Sequence, residues 1–579
     1  MKKLISSIIA MVLAVTISIP VQARDFVPEG VNPDTSDEIA VMVKDAQQSW
    51  ISLLFKETTP KLAETLGNRW CLSLVTESCA EKGGLLRGYS ILPVCVGDAT
   101  NCIEDVQIYS SNSPKVSAVN DPNISKGFTF SGDSTRGIPD GDQPSLWNAP
   151  GVPNADGETK YVVSVGLTYA LEDGVNATIR NFSATVFPVV ELTGSNYFPS
   201  RIDTRDEAGV AWYSHDNGER GTNDGCVLTD NGKCWARTEF NPDTRVGLSL
   251  RLTNQVSGWL HGRVDDAVIS VEPIDKSSSR VTVDAAPMDI PVLYSIVNQA
   301  SLKPATLDNL KNGSSGGQFR GNRWAIIESD GFWTRGIVTE VASGANDTAA
   351  ATYTSWRISS LQNSWLNDKC FDSKSELLGL ITTNALAYSG FTPEWDGTSL
   401  NYQVAGLHYA PDGKVQLGSY NLIMRSDVAR CMYGFSKAPI SATVAVVGTG
   451  DQNIATTIVS EKDGWLKLAA EGFTFSEKEI QVKVTQAQNK TLTKFSGSTR
   501  TLTSKQKAEI KAVVTKAKGN PKFICTGVYV NARDKVTALK RARAACDYAK
   551  SLDKDHSYWA QAKQSKAKSY DAKVMIVSK

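Results

Sequence analysis

Through most of this 579-residue chain, apolar and polar residues alternate or run together in blocks of strand length. Between residues 150 and 300 lie YVVSVGLTYALE, NATIRNFSATVFPVVEL, RVGLSLRLT, GWLHGRV and AVISVEPI. These runs are rich in β-branched and aromatic residues and are separated by Gly, Asn and Asp, the pattern of strands joined by turns. A second series fills residues 300–490: WAIIESDGFWTRGIVTEV, ATYTSWRIS, GLITTNALAY, LNYQVAGLHYA, GSYNLIMRS, ISATVAVVG and IATTIVSE. Together they predict two β-sandwich-like domains, at 150–300 and 300–490, jelly-roll-like in strand spacing. Ahead of them, residues 24–150 read as a helix followed by a stapled lead-in. Thr35 and Glu38 have capping-box spacing, and Ile39, Val43, Trp50 and Leu53 follow at approximately helical intervals.

The pattern changes after residue 490. Thr491–Phe495 reads as a short strand. Thr503 and Gln506 form a second capping box, and Ile510, Val513, Val514 and Ala517 share a helix face. Gly519-Asn520-Pro521 stops that helix. FICTGVYV (523–530) reads as a buried strand. Asp534 is placed to cap a second helix, with Val536, Leu539, Ala542, Cys546 and Ala549 on one face, and Val574–Val577 closes the module as a strand. The strand–helix–strand–helix–strand order predicts a small α/β sandwich with its helices on one face. The fold class is therefore mixed: mainly β, with a small C-terminal α/β sandwich.

Charge separates the same two regions. The chain carries 61 Lys+Arg and 61 Asp+Glu, a net of zero. Residues 500–579 hold 19 basic and 6 acidic residues, a net of +13. Residues 24–499 hold 40 and 55, a net of −15. Such asymmetry points to an anionic partner for the basic end. Candidates are anionic cell-wall polymers, lipid head groups or the acidic body of a neighbouring copy; nucleic acid is not expected.

Over residues 490–579 the chain resembles the OmpA-like C-terminal module: a strand, a Leu-Thr-x-x-Gln helix, a strand, an Arg-Ala helix and a strand. Arg541-Ala542 followed by Tyr548 has the spacing of that family's Arg-Ala…Tyr helix. The resemblance implies peptidoglycan stem-peptide contact through Arg541, with Lys540, Arg543 and Asp534 beside it as envelope-binding candidates. Asp534 stands where the family has Asn, and Val530 where it has Asp. As a helix-face residue, Arg541 also reads simply as a solvated charge. VAGLHYAPDG, VARCMYGFSKAPI and DGWLKLAAEGFTFSEKEI are similar to segments of secreted multidomain proteins of actinobacteria, which implies architecture and location only.

Met1-Lys2-Lys3, an apolar stretch and Val21-Gln22-Ala23 read as a secretory signal over residues 1–23. No other run reaches the roughly 18 apolar residues of a spanning helix, and no other anchor is legible, so the expected location is secreted, extracellular or envelope-associated. Ten cysteines agree with export. Sequential pairing is the expectation: Cys71–Cys79, Cys95–Cys102, Cys226–Cys234, Cys370–Cys431 and Cys525–Cys546.

Catalytic chemistry is sparse. There are four His (His215, His261, His408 and His556), no nucleophile elbow, no phosphate-cradling loop and no Cys-x-x-Cys, so neither cofactor nor metal is expected. The acidic loops at 131–143, 215–219 and 223–225 match no calcium-loop pattern and read as turns. Asp265, Asp266, Glu394 and Asp396 read likewise. Trp147, Trp212, Trp235, Trp259, Trp324, Trp333 and Trp395 are either sandwich cores or platforms for sugar rings; the latter requires coplanar exposed rings on one face. The expected function is that of an exported, non-catalytic surface protein. Its β-domains are displayed or bind a ligand, and its basic tail associates with anionic envelope polymers or peptidoglycan. The alternative is a secreted carbohydrate-binding or carbohydrate-active enzyme using loop carboxylates.

Overall fold

The computed structural model describes residues 33, 36–45, 51–57, 69–71, 73–75, 85–124, 127–172, 175–195, 197–199, 201–204, 211–214, 226–312, 318–320, 324–362, 370, 376–396, 399–433, 440–447, 452–454, 456–475, 478–486, 489–516, 522–554, 556–565, 569 and 571–578. The expected leader, Thr35, Trp50, Cys79, His215 and the loops at 215–219 and 223–225 lie outside them.

The first half of the body comprises β1 (Glu38–Lys44), β2 (Cys102–Ser110), β3 (Lys160–Leu171), β4 (Thr178–Thr193), β5 (Thr244–Thr253), β6 (Gly258–Pro273) and β7 (Ser278–Asn298). There follow α1 (Pro304–Asn312), β8 (Trp324–Glu328), α2 (Thr334–Val341), β9 (Ala351–Ser360), β10 (Leu377–Thr383), β11 (Leu417–Arg425), α3 (Ser426–Tyr433), β12 (Thr456–Lys462) and β13 (Trp465–Thr474). The protein is mainly β, with β-sandwich-like sheets, as expected.

Two expectations need correction. Glu38–Lys44 is a strand rather than a helix, and Leu53 opens another strand, Leu53–Glu57. β1 lies between β7, antiparallel, and β8, parallel. Ile39, Val41 and Val43 enter one core and Met42 another. A strand buried on both faces reads as an unbroken apolar run, which a helical pattern also fits. Thr334–Val341, expected as strand, is a helix; Ile337, Val338 and Val341 are its buried face.

Strand pairing also crosses the divisions expected at 150 and 300. β1 pairs with β7 and β8, and β9 pairs with β4, β6 and β7. β6 joins what were read as two strands, GWLHGRV and AVISVEPI. A bulge lies between Asp265 and Val268, where Asp266 adopts φ 45°. Residues 258–263 of β6 pair with β9 and β10; residues 264–265 and, beyond the bulge, 268–273 pair with β7. Asp265 and Asp266 are thus a corner inside a strand. Asp266 is held by Arg245 Nη1 at 3.2 Å and Lys467 Nζ at 2.5 Å.

Three of the expected disulfides join described body cysteines: Cys95–Cys102, Cys226–Cys234 and Cys370–Cys431. Cys71 is also disulfide-bonded.

An ion cluster sits at the centre of the body. Arg263 on β6 and Arg357 on β9 are direct cross-strand partners, a like-charge pair that would be repulsive alone. Asp45, just after β1, lies between them. It accepts from Arg263 Nε at 3.0 Å and from Ser329 Oγ at 2.7 Å, and Arg357 Nη1 is 3.1 Å away. The other Arg263 nitrogens donate to the carbonyls of Thr383 (2.7 Å), Ala385 (2.6 Å) and Leu386 (3.2 Å). All three charged groups are buried. Burial alone would raise the Asp45 pKa, but Arg357 and Arg263 hold it well below the ordinary carboxylate range. Two residues before Arg263, the buried His261 stacks on Tyr388 with ring centroids 3.5 Å apart.

Candidate functional site in the basic tail

The tail consists of β14 (Asn489–Thr491), α4 (Ser504–Lys516), β15 (Lys522–Tyr529), α5 (Lys535–Leu552), β16 (Ser557–Gln564) and β17 (Val574–Ser578). Its four strands form a sheet of their own in the order β14–β17–β15–β16, with β15 and β16 parallel. β16 was missed in the sequence, although S-Y-W-A-Q-A-K-Q alternates: Tyr558, Ala560 and Ala562 are half-buried, and Ser557, Trp559, Gln561 and Lys563 are exposed.

Local chemistry fixes the helices. Thr503 N–H donates to Gln506 Oε1 (2.8 Å), and Gln506 N–H returns a bond to Thr503 Oγ1 (3.2 Å), the expected capping box. Gln506 Nε2 then donates to the Thr493 carbonyl at 2.7 Å, tying α4 to the chain after β14. Asp534 occupies the N-cap position of α5, but its side chain makes no capping bond. Cys525 of β15 is bridged to Cys546 of α5. Gly527 permits close contact between these elements, since a Cβ there would meet the Ala538 carbonyl at 1.9 Å.

The buried face of α5 is Ala538, Arg541, Ala542, Ala545, Cys546 and Ala549, rotated from the expected one; Val536 is exposed. Small side chains let the helix lie close to the sheet, so the branched Val536 was a poor guide to its inner face.

That rotation separates the four envelope-binding candidates. Arg541 is not a solvated helix-face charge: it is buried, at 5% exposure. Its Nε donates to the Thr499 carbonyl (2.8 Å) and its Nη2 to the Gly497 carbonyl (2.5 Å), while the guanidinium lies 5.2 Å from the Phe495 ring centroid. Burial lowers its pKa from the ordinary arginine value, against the opposing effect of Asp571 and Asp534. Arg541 therefore holds the 497–499 turn against α5. Lys540 and Arg543 are exposed, and Asp534 is half-buried. Tyr548 is half-buried, with Lys507 Nζ 5.5 Å from its ring centroid.

Exposed cations cover both layers. Lys507 and Lys511 lie on α4, and Lys540, Arg543 and Lys550 on α5. On the opposite, helix-free sheet face, Trp559 is 59% exposed, with Lys522 Nζ 5.8 Å from its ring centroid and Lys563 further along the strand. Among the described residues, Lys540, Arg543 and Lys550 enter no ion pair.

Other sequence candidates are structural where described. Trp147, Trp235 and Trp259 are buried. Trp333 is exposed, but it meets the neighbouring Phe332 edge-on at 89°, which is not a coplanar platform. Trp395 meets Tyr433 at 79°. The side chains of Trp212 and Trp324 lie outside the described ones. Asp133 caps a 3-10 turn by accepting from Thr135 and Arg136 N–H. Asp396 accepts from Ser399 and Asn401, and Glu394 is exposed. His408 pairs with Asp347, and His556 lies 3.2 Å from Asp553. Among the described residues no group of three or more His, Cys, Asp or Glu is placed to hold a metal, and no helix is long and apolar enough to cross a membrane. No protein-family model and no curated protein matches the chain. The disulfides are compatible with an extracellular protein.

Proposed function

We propose that this is an exported envelope-associated protein whose tail binds anionic cell-envelope polymers or peptidoglycan electrostatically and holds the acidic β-rich body at the cell surface. The observation that carries this reading is that Lys540, Arg543 and Lys550 are exposed and, among the described residues, unpaired, on a module that has its own core and disulfide and a net charge of +13 over residues 500–579. Unpaired surface cations destabilise a fold slightly by self-repulsion and attract polyanions over about a Debye length. The stem-peptide reading implied by the OmpA-like resemblance gains less support. Arg541 already donates to two backbone carbonyls, so its loss would act through the turn it holds.

The test is co-sedimentation of the intact mature protein with purified cell walls across a salt series, before and after anionic polymers are stripped. Binding should weaken steeply with salt, fall on stripping, and be lost in the triple variant Lys540→Glu, Arg543→Glu, Lys550→Glu. Salt-resistant binding that the triple variant retains would refute the electrostatic reading.

A further inference from the structure

A cleft of about 750 Å³ opens in the body, well away in sequence from the basic tail. That volume lies within the range of small-ligand sites. One wall is apolar, formed by Leu252 of β5, Val271 of β6, Val281 of β7 and Leu377 of β10. The other is built by α3 and the β12–β13 hairpin. Asp463 and Gly464 turn that hairpin with φ values of 51° and 82°, a two-residue turn with both central residues left-handed, and deliver Trp465 to the cleft. The Cys370–Cys431 disulfide tethers α3, which contributes Ser426, Asp427 and Arg430.

Two polar atoms of this wall lack partners. Ser426 is 4% exposed, and its Oγ has no hydrogen-bond partner. Arg430 donates through Nη1 to the Ser426 carbonyl (3.1 Å) and through Nη2 to Glu461 (2.6 Å), yet its buried Nε is unpaired. A buried donor without a partner costs free energy unless something else supplies an acceptor.

Charge decides the class of ligand. Lys276, Arg425 and Arg430 line the cleft with Glu376, Asp427, Glu461 and Asp463, which leaves one net negative charge. Arg425 is bidentate with Asp427 (3.0 and 2.6 Å) and also pairs with Glu376. An anion would find Lys276 as the one cleft cation outside the described ion pairs, set against four carboxylates, and a cation would have to share carboxylates already engaged by Arg425 and Arg430. A neutral polyol has neither problem. A carboxylate accepts about four hydrogen bonds, so the ion-paired groups keep lone pairs for hydroxyl donors. Ser426 Oγ and Arg430 Nε are shielded from water as the fold stands; a change of rotamer on binding would let them donate to ring or hydroxyl oxygens. The half-buried Trp465 ring and the branched aliphatic wall suit the C–H face of a pyranose. We infer that this cleft is a binding site for a neutral oligosaccharide, with Trp465 as the stacking surface and Ser426 and Arg430 as orienting donors.

The experiment is calorimetric titration of the intact mature protein with neutral oligomers of β-linked glucose, β-linked N-acetylglucosamine and α-linked mannose, at low and high salt. At least one should bind, with little dependence on salt, which separates this site from the tail. Trp465→Ala should weaken binding on the order of 10-fold or more, and Ser426→Ala several-fold. Trp465→Phe keeps an aromatic ring and should retain most of the affinity, which guards against misreading a folding defect. The inference fails if no neutral oligomer binds. It also fails if binding is untouched in Trp465→Ala and Ser426→Ala proteins that melt like the parent, or if a uronic-acid or sulfated oligomer binds more tightly than every neutral one.

Discussion

The body and the tail treat charge in opposite ways. In the body, arginines are the recurrent cations and carboxylates from distant strands meet them. Glu104 accepts from Arg251 Nε and Arg280 Nη2, each at 2.9 Å; the Arg280 bond foremost, against the effect of burial, brings its pKa down to about 2. Arg245 reaches both Asp266 and Asp284, and Arg263 and Arg357 share Asp45. In the tail, most cations are lysines that point outward, and the one buried arginine is satisfied by backbone carbonyls. A planar guanidinium can be locked into a sheet by several directed bonds, whereas an ammonium on a flexible stem remains available to a partner. Charge that is paired inside a fold specifies structure; charge left unpaired on its surface is free to recruit.

This contrast can be broken at its strongest point first. Asp45→Asn leaves two buried guanidiniums facing one another and should cost about 3–5 kcal/mol, read as a fall in the urea midpoint of the body. A change too small to move that midpoint would mean that the cluster is not central to stability. Next come the disulfides. Removing Cys370–Cys431, which closes a separation of 61 residues, should cost about 4 kcal/mol, against about 3 for the 21 residues of Cys525–Cys546. Paired Cys→Ser variants followed by denaturant melts test that order.

Within the tail, Arg541→Ala should destabilise the module by about 2 kcal/mol through its two lost carbonyl bonds, whereas Lys540→Ala and Arg543→Ala should stay within about 0.5 kcal/mol of the parent. Wall binding at a temperature where all three variants are folded should rank them the other way round. The smallest effect is one of pH. Burial foremost, then the Arg263 and Arg357 charges, holds the His261 pKa well below its ordinary 6.5. The unfolded chain therefore takes up a proton there that the native protein refuses. Stability should be indifferent to this group above pH 6.5 and fall as the pH drops below it. His261→Gln should flatten that part of a midpoint-against-pH curve.

Much of the β content was legible because alternation and turn residues report directly on half-buried strands. The Thr503–Gln506 capping box and the Cys95–Cys102 and Cys226–Cys234 pairs were legible because each depends on residues close in sequence; Cys370–Cys431, 61 apart, followed only from pairing the cysteines in chain order. What failed depended on distance. β1 looked helical because both its neighbours, β7 and β8, come from more than two hundred residues away. The meeting of Asp45, Arg263 and Arg357 has no local signature at all. The fate of Arg541 turned on which side of α5 faced the sheet, and alanines, too small to stand out in a hydrophobic pattern, decided that. Likewise Ser426 and Trp465, at the ends of two unremarkable elements, became interesting only once the fold had placed them on one cleft.

β6 carries one more implication. Because one continuous strand pairs with β9 and β10 ahead of its Asp265–Asp266 corner and with β7 at and beyond it, a covalent beam runs through both sets of pairings. Heat, denaturant or tension that loosens one sheet must drag the other with it. Under shear or heat the strands on the two sides of that corner would then be expected to yield together.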